Sequence, residues 1–167
     1  MLRKALLFIC IATAGLAAEP LSFVRDIQPI LTKTGCNAGA CHAKAITGQR
    51  GFRLSVLGFE PEEDYEAIVK QGKGRRVFPP APEESLLITK GAAIVPHTGG
   101  KHLEPGSEFY QTLVRWIAEG MPYTQPNEPA LNTIAVEPSR ITLKPKTAQQ
   151  LKVTARMVEL TTGESGP

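Results

Sequence analysis

The chain has 167 residues, of which 42% are hydrophobic and 21% charged, with 19 basic and 16 acidic side chains. This length allows one domain of ordinary size and a fragment of a second. Of the formal net charge of +3, two units belong to Arg3 and Lys4, so the chain without them is almost neutral and its charge gives no reason to expect a nucleic-acid partner.

The first 18 residues have the pattern of a secretory signal peptide. Arg3 and Lys4 precede a short apolar run over residues 5–12, and small residues follow up to Ala18. The run is too short to span a bilayer comfortably, although an uncleaved anchor is the alternative. We therefore expect an exported protein, periplasmic or at the cell surface, with no membrane span in the mature chain.

A short amphipathic helix is predicted just before the first cysteine of the mature chain. Val24, Ile27, Ile30 and Leu31 recur at helical spacing. Asp26 is a plausible N-cap, which places the following proline in the first turn, where its missing N–H is harmless. The helix leads directly into the next motif.

The run from Gly35 to His42, GCNAGACH, carries the strongest chemical signal in the sequence. Cys41 is followed at once by His42, an arrangement that suits covalent capture of a haem. Each thiol adds across one porphyrin vinyl group, and the adjoining imidazole becomes the proximal iron ligand. Four residues separate Cys36 from Cys41 where the usual signature has two, and the small residues between them allow the loop to bulge.

The alternatives to haem attachment for these cysteines are a disulfide, a zinc site and an iron–sulfur cluster. A Cys36–Cys41 disulfide is possible in an exported protein. Structural zinc requires four Cys or His ligands, and no second cysteine pair completes such a set. An iron–sulfur cluster fails by the same count.

Three further helices are predicted after this motif. The first opens at Pro61 and ends by Gly72, the second lies within residues 83–90, and the third is capped by Ser107 and stopped at Gly120. Trp116 lies on the apolar side of the third helix and is expected in the core.

The loop between the first two of these helices contains Arg75 and Arg76. Their guanidinium groups could pair with the propionates of a haem, because arginine binds carboxylates with two parallel hydrogen bonds. The alternative is that both side chains are simply solvated.

The distal iron ligand is predicted from the loop that precedes the last helix. This loop contains His97 and His102 and no methionine, whereas Met121 follows the helix. His97 lies between Pro96 and the Thr98-Gly99-Gly100 turn, where the backbone can approach a cofactor closely. Our order of preference is His97, then Met121, then His102, for which we expect a surface position.

The character of the sequence changes after a proline-rich linker, residues 125–132. Apolar and polar residues alternate at 134–136, 141–143 and 151–155, which predicts about three antiparallel strands in the segment 133–167. An immunoglobulin-like sandwich needs about 100 residues, so this β segment is expected to be incomplete.

The segment from Phe23 to Pro122 resembles the cytochrome c-like domain at the front of large exported planctomycete proteins. The matching stretches are 24–31, 35–42, 51–59, Pro96-His97 with Gly99-Gly100, and 116–120. Residues 134–155 look like the start of the group 2 bacterial immunoglobulin-like domain that often follows it, which implies that a full-length protein continues into further domains.

The resemblance implies a mainly α fold, in which a cytochrome c-like helical haem domain over residues 20–124 is followed by the truncated immunoglobulin-like segment. It also implies one covalent haem c and electron transfer to a redox partner that the sequence does not identify. Two other functions remain open. One is a haem peroxidase-like enzyme, and the other is a non-redox cell-surface module stapled by a Cys36–Cys41 disulfide.

Overall fold

The computed structural model describes residues 19–39, 41–44 and 51–158. The predicted signal peptide, residues 1–18, and the end of the predicted β segment, residues 159–167, lie outside them. The described helices and strands are a π-helical turn Phe23–Ile27, α1 Gln28–Lys33, α2 Pro61–Val69, α3 Leu86–Gly91, α4 Glu108–Ala118, β1 Ala130–Glu137 and β2 Lys152–Val158. Within these ranges no helix combines the length and apolar character that crossing a membrane requires.

The expected fold class is wrong. The described residues combine four short α-helices with one two-stranded antiparallel sheet, and 33% of them are helical and 14% strand, so the architecture is mixed. These residues show neither a mainly α fold nor a clear immunoglobulin-like fold. The helices stay short because glycine- and proline-rich loops interrupt them, and these two residues are the poorest helix formers.

The N-terminal helix begins earlier than the sequence predicted. Ser22, and not Asp26, is the N-cap: its hydroxyl accepts from the amide of Arg25 at 3.1 Å. The carboxylate of Asp26 accepts from the amide of Ser22 at 2.7 Å. The Ser22 side chain thus caps the amide of Arg25 and the Asp26 side chain caps the amide of Ser22, and the helix runs through the π turn into α1 and ends next to Cys36.

Aromatic rings pack the N-terminal segment against α2 and α4. The Phe23 ring lies 5.4 Å from that of Tyr65 and 5.7 Å from that of Trp116, measured between centroids. Trp116 is fully buried and its indole N–H donates to the carbonyl of Pro122 at 3.0 Å. The prediction that Trp116 belongs to the core is confirmed, and this core supports the cavity described below.

The β segment forms two strands where the sequence suggested about three. Residues 141–143 are not a strand, and they lie between Pro138 and Pro145, which lack the amide that a ladder requires. Strand β1 begins within the predicted linker, and a bulge after Leu131 sets its register against β2. Every residue of both strands is exposed except the half-buried Ala130.

A buried carboxylate joins α1, α2 and the loop before α2. Asp64 is 1% exposed and accepts from the Ser55 amide at 2.5 Å, the Ser55 hydroxyl at 2.7 Å and Gln28 Nε2 at 2.7 Å. These bonds replace the water that an ionised carboxylate loses on burial, so the three segments are held together by one side chain.

Replacing Asp64 with alanine is expected to lower the free energy of unfolding by about 3 kcal/mol, because three buried donors lose their acceptor. Asp64→Asn should cost less, because it keeps an acceptor for Ser55 and the Gln28 carbonyl oxygen, which is unpaired and buried, can accept from the new amide. Glu62→Ala, at an exposed position on the same helix, is the control. Urea unfolding of the three variants provides the measurement, and equal stability of Asp64→Ala and Glu62→Ala would contradict it.

Candidate functional site

A cavity of about 930 Å³ lies beside the core, in the size range of cofactor sites. Its apolar lining includes Leu31 and Leu54, which also belong to the core. The candidate site residues that line it are Cys36, Cys41, His42, Arg75, Arg76, His97 and His102. The fold therefore brings to one cavity four loops that are separate in the sequence, which contribute residues from within 36–42, 52–54, 75–76 and 96–102.

A closed turn places both cysteines at this cavity. The Cys36 amide donates to the Leu31 carbonyl at 2.9 Å, which continues the hydrogen bonding of α1 into the motif. The His42 amide donates back to the Cys36 carbonyl at 3.1 Å. Inside the turn, Asn37 is fully buried and donates to the Thr32 hydroxyl at 2.9 Å. The described residues between the cysteines, 37–39, thus lie in a loop that these hydrogen bonds hold closed.

Both thiols are free in the structure. Burial raises the pKa of the Cys36 thiol above its ordinary value, although the Thr34 hydroxyl, 3.3 Å from the sulfur, acts in the opposite direction. Cys36 is therefore protonated at neutral pH, which is the form that carries the S–H bond.

His42 presents one free ring nitrogen. Its Nδ1 lies 3.2 Å from the Phe52 carbonyl, and because a carbonyl only accepts, Nδ1 carries the proton and Nε2 keeps its lone pair. Burial lowers the pKa of His42, and this outweighs the hydrogen bond to Phe52, which raises it. The imidazole is therefore neutral and oriented, as metal-ligating histidines are by such a second bond.

His97 has the same arrangement on a different loop. Its Nδ1 lies 3.0 Å from the Gly100 carbonyl, which again leaves Nε2 free. The rings of His42 and His97 are nearly parallel, with 10° between their planes and 6.2 Å between their centroids. The sequence singled out both residues, but only the fold places them as a pair.

The two other candidates for the distal ligand are placed differently. Met121 packs against the core, its carbonyl accepts from the Tyr65 hydroxyl at 2.8 Å, and it is not among the described residues that line the cavity. His102 lines the cavity but has both ring nitrogens engaged, Nδ1 at 2.7 Å from the Thr34 carbonyl and Nε2 at 2.9 Å from the Gly99 carbonyl. Of the three candidates, His97 has the free nitrogen at the cavity.

Sequence reasoning missed the roles of Phe52 and His102. Phe52 contacts His42 through its ring, 4.5 Å away between centroids, as well as through its carbonyl. His102, for which we expected a surface position, is half-buried. The alternation of Phe52 and Leu54 was the only sequence signal for the first, and nothing local distinguished the second.

Arg75 and Arg76 both line the cavity but are held differently. Arg76 is buried, and its Nη1 donates to the carbonyls of Ala67 at 2.9 Å and Gln71 at 2.8 Å. Its guanidinium carbon lies 4.5 Å from the centroid of the Phe52 ring. Burial, and then the neighbouring Arg75 charge, lower the pKa of Arg76. Neither arginine makes a salt bridge with a carboxylate in the described part of the chain, so an anion in the cavity would be favoured.

Arg76→Gln is expected to lower the free energy of unfolding of the haem-free protein by about 2 kcal/mol, because two charge-assisted bonds to carbonyls near the end of α2 are lost. Arg75→Gln, at an exposed neighbouring position, should change it by less than about 0.5 kcal/mol. Urea unfolding of both variants measures the difference. A loss of the same size in both would contradict a structural role specific to Arg76.

The donor set of the cavity fits a haem better than a bare metal ion. Across residues 19–39, 41–44 and 51–158 there is no group of three or more His, Cys, Asp or Glu side chains suited to holding a metal ion. A haem iron takes at most two ligands from the protein, because the porphyrin supplies the rest. The cavity has a matching group for each part of a haem. Two imidazoles suit the iron and two thiols suit the vinyl groups. The apolar lining suits the porphyrin ring, and two guanidinium groups suit the propionates.

Comparison with known proteins adds no relative: no protein-family model, no curated protein and no solved structure matches this chain. The resemblance to exported cytochrome c-like proteins therefore remains a prediction from the quoted stretches of sequence. The functional argument depends on the cavity and the residues that line it.

Proposed function

We propose that this chain binds one haem covalently and transfers electrons in an exported protein. The observation that carries the proposal is the convergence of Cys36, Cys41, His42 and His97 on one cavity, with the two imidazole planes within 10° of each other. The local sequence motifs assign the same four residues to haem, and the fold brings these motifs to one cavity.

The two cysteines attach the cofactor. Each thiol would add its S–H bond across one vinyl double bond of the porphyrin, so that a C–S bond would form and the proton would go to the other vinyl carbon. No oxidant is consumed. The protonated state of Cys36 agrees with this addition, and the closed turn holds the two sulfurs at the same cavity.

The two histidines hold the iron. His42 and His97 would each bind the iron through Nε2, because Nδ1 of each ring is held by a carbonyl, as the second ring nitrogen of metal-ligating histidines is. When bound, the haem supplies a one-electron couple at iron. Two imidazole ligands leave no open iron position, which favours electron transfer over a peroxidase-like reaction, and they place the potential below that of a His/Met-ligated relative.

The remaining lining residues exclude water and balance charge. Leu31, Leu54 and Phe52 provide an apolar wall, which raises the cost of exposing the cofactor to solvent. Arg75 and Arg76 provide positive charge for the propionates. Arg76 would pair with a propionate through the guanidinium nitrogens other than Nη1, because Nη1 donates to the carbonyls of Ala67 and Gln71.

An optical spectrum of the protein exported by a host with haem c maturation machinery tests the proposal against its alternatives. A low-spin spectrum that changes reversibly on reduction, and does not respond to added peroxide, supports electron transfer. A high-spin spectrum with rapid peroxide turnover would favour the enzyme. A colourless protein with Cys36 and Cys41 oxidised would favour the surface module.

A further inference from the structure

We propose that His102 is a positioning residue that holds the His97 loop against the helix carrying the haem attachment motif, and thereby keeps the His97 imidazole at the cavity. The inference rests on the proposed function for its spectroscopic readout, but its structural content concerns this chain alone. It arises from the contacts of a ring that the assignment of iron ligands leaves without a role.

The ring of His102 spans two parts of the chain that are far apart in sequence. Its Nδ1 lies 2.7 Å from the carbonyl of Thr34, the residue that follows α1 and whose hydroxyl contacts the Cys36 sulfur. Its Nε2 lies 2.9 Å from the carbonyl of Gly99, two residues after His97. Because a carbonyl only accepts, the ring donates to one of these carbonyls in either neutral tautomer and to both when it carries two protons. One side chain therefore links the wall that carries the thiols with the loop that carries the distal imidazole.

Gly99 lies next to both histidine rings. A Cβ built on Gly99 would lie 3.1 Å from His97 Cε1, 3.4 Å from His97 Nε2 and 3.6 Å from His102 Nε2. Only the absence of a side chain at position 99 therefore leaves room for the two rings at this point of the loop. A displacement of Gly99 changes the space that the His97 ring occupies.

The backbone at His102 is held in place by hydrogen bonds, so the ring extends from a fixed position. The backbone amides of His102 and Leu103 donate to the carbonyl of Gly91 at the end of α3, at 2.8 and 2.9 Å, and Leu103 is buried. The His97 loop itself is a short turn, in which the Gly100 amide donates to the His97 carbonyl at 3.0 Å. The ring of His102 extends this fixed point to Thr34 and Gly99.

The test compares His102→Ala and His102→Gln with Lys101→Ala, an exposed neighbour paired with Glu104. In the ferric holoprotein, His102→Ala is expected to bind cyanide about tenfold faster than the wild type, as the loss of about one hydrogen bond implies, and to show a larger high-spin fraction. His102→Gln keeps an N–H donor and should restore part of the difference. Lys101→Ala should match the wild type.

A second readout does not require haem. In the haem-free protein, the amide of Gly100 is expected to exchange about tenfold faster in His102→Ala, because the turn loses its link to Thr34. If Gly100 exchange and cyanide binding are both unchanged, the positioning role is overturned while the haem proposal stands. If the wild type holds no haem, the exchange rate of the Gly100 amide decides alone. Faster exchange in His102→Ala would support the link between Thr34 and the His97 loop, and an unchanged rate would overturn it.

Discussion

Replacing His97 with alanine is expected to convert the ferric iron from low-spin to predominantly high-spin. The reason is geometric: His97 lines the cavity, its Nδ1 is held by the Gly100 carbonyl so that Nε2 is the nitrogen left for iron, and its ring centroid lies 6.2 Å from that of His42 with nearly parallel planes. Removing it leaves an open iron position that water or an added ligand can occupy. The absorption spectrum and electron paramagnetic resonance of the exported variant measure the change.

Met121→Leu is the matched control for that experiment. Met121 packs against the core and its backbone, not its side chain, bonds Tyr65, so leucine of similar volume should leave the spectrum unchanged. The assignment would be contradicted by a long-wavelength charge-transfer band, of the kind that a methionine–iron bond gives, that disappears in Met121→Leu. A low-spin spectrum in His97→Ala would contradict it equally.

Removing both attachment points is expected to abolish covalent haem altogether. Cys36→Ala and Cys41→Ala each leave one thiol at the cavity, so each single variant retains at most one thioether and gives less holoprotein. The double variant retains none, because Cys10, the third cysteine of the sequence, lies within the predicted signal peptide. Haem staining after denaturing electrophoresis, normalised to total protein, measures the three variants against the wild type.

Thr34→Val controls for disturbance of the turn without loss of a thiol. It removes the hydroxyl that contacts the Cys36 sulfur and leaves both cysteines in place. Staining close to the wild-type level is expected, because the Thr34 carbonyl that His102 uses is retained. Full staining in the double cysteine variant would show that the haem, if present, is attached elsewhere.

The local motifs could be predicted from the sequence because each depends on neighbouring residues. The N-cap of α4 at Ser107 was expected from one hydroxyl before an apolar helical pattern, and its side chain does accept from the Tyr110 amide. The adjacency of Cys41 and His42 is likewise a property of the sequence and does not depend on the fold. The cap of the first helix was misplaced by four residues, because Ser22 and Asp26 are both good caps and only the structure shows that Ser22 accepts from the Arg25 amide while Asp26 accepts from the Ser22 amide.

The long-range features could not be predicted from local patterns. The bonds from His102 to Thr34 and from Gln28 to Asp64 join residues 68 and 36 positions apart, and neither leaves a periodic signal. The fold class failed for a related reason. Apolar residues at helical spacing indicated a helix before Cys36 and another after Ser107. This pattern does not show how many of the residues between the two helices lie in loops.

The intact mass of the exported wild-type protein, measured after denaturation, tests the central claim most directly. If the haem is covalent, the mass exceeds that of the processed polypeptide by one haem, and the proteolytic peptide that contains Cys36 and Cys41 carries the added mass. Protein from a host with active haem c maturation that has the unmodified mass, or a mass two hydrogens lower from a Cys36–Cys41 disulfide, would contradict the proposal.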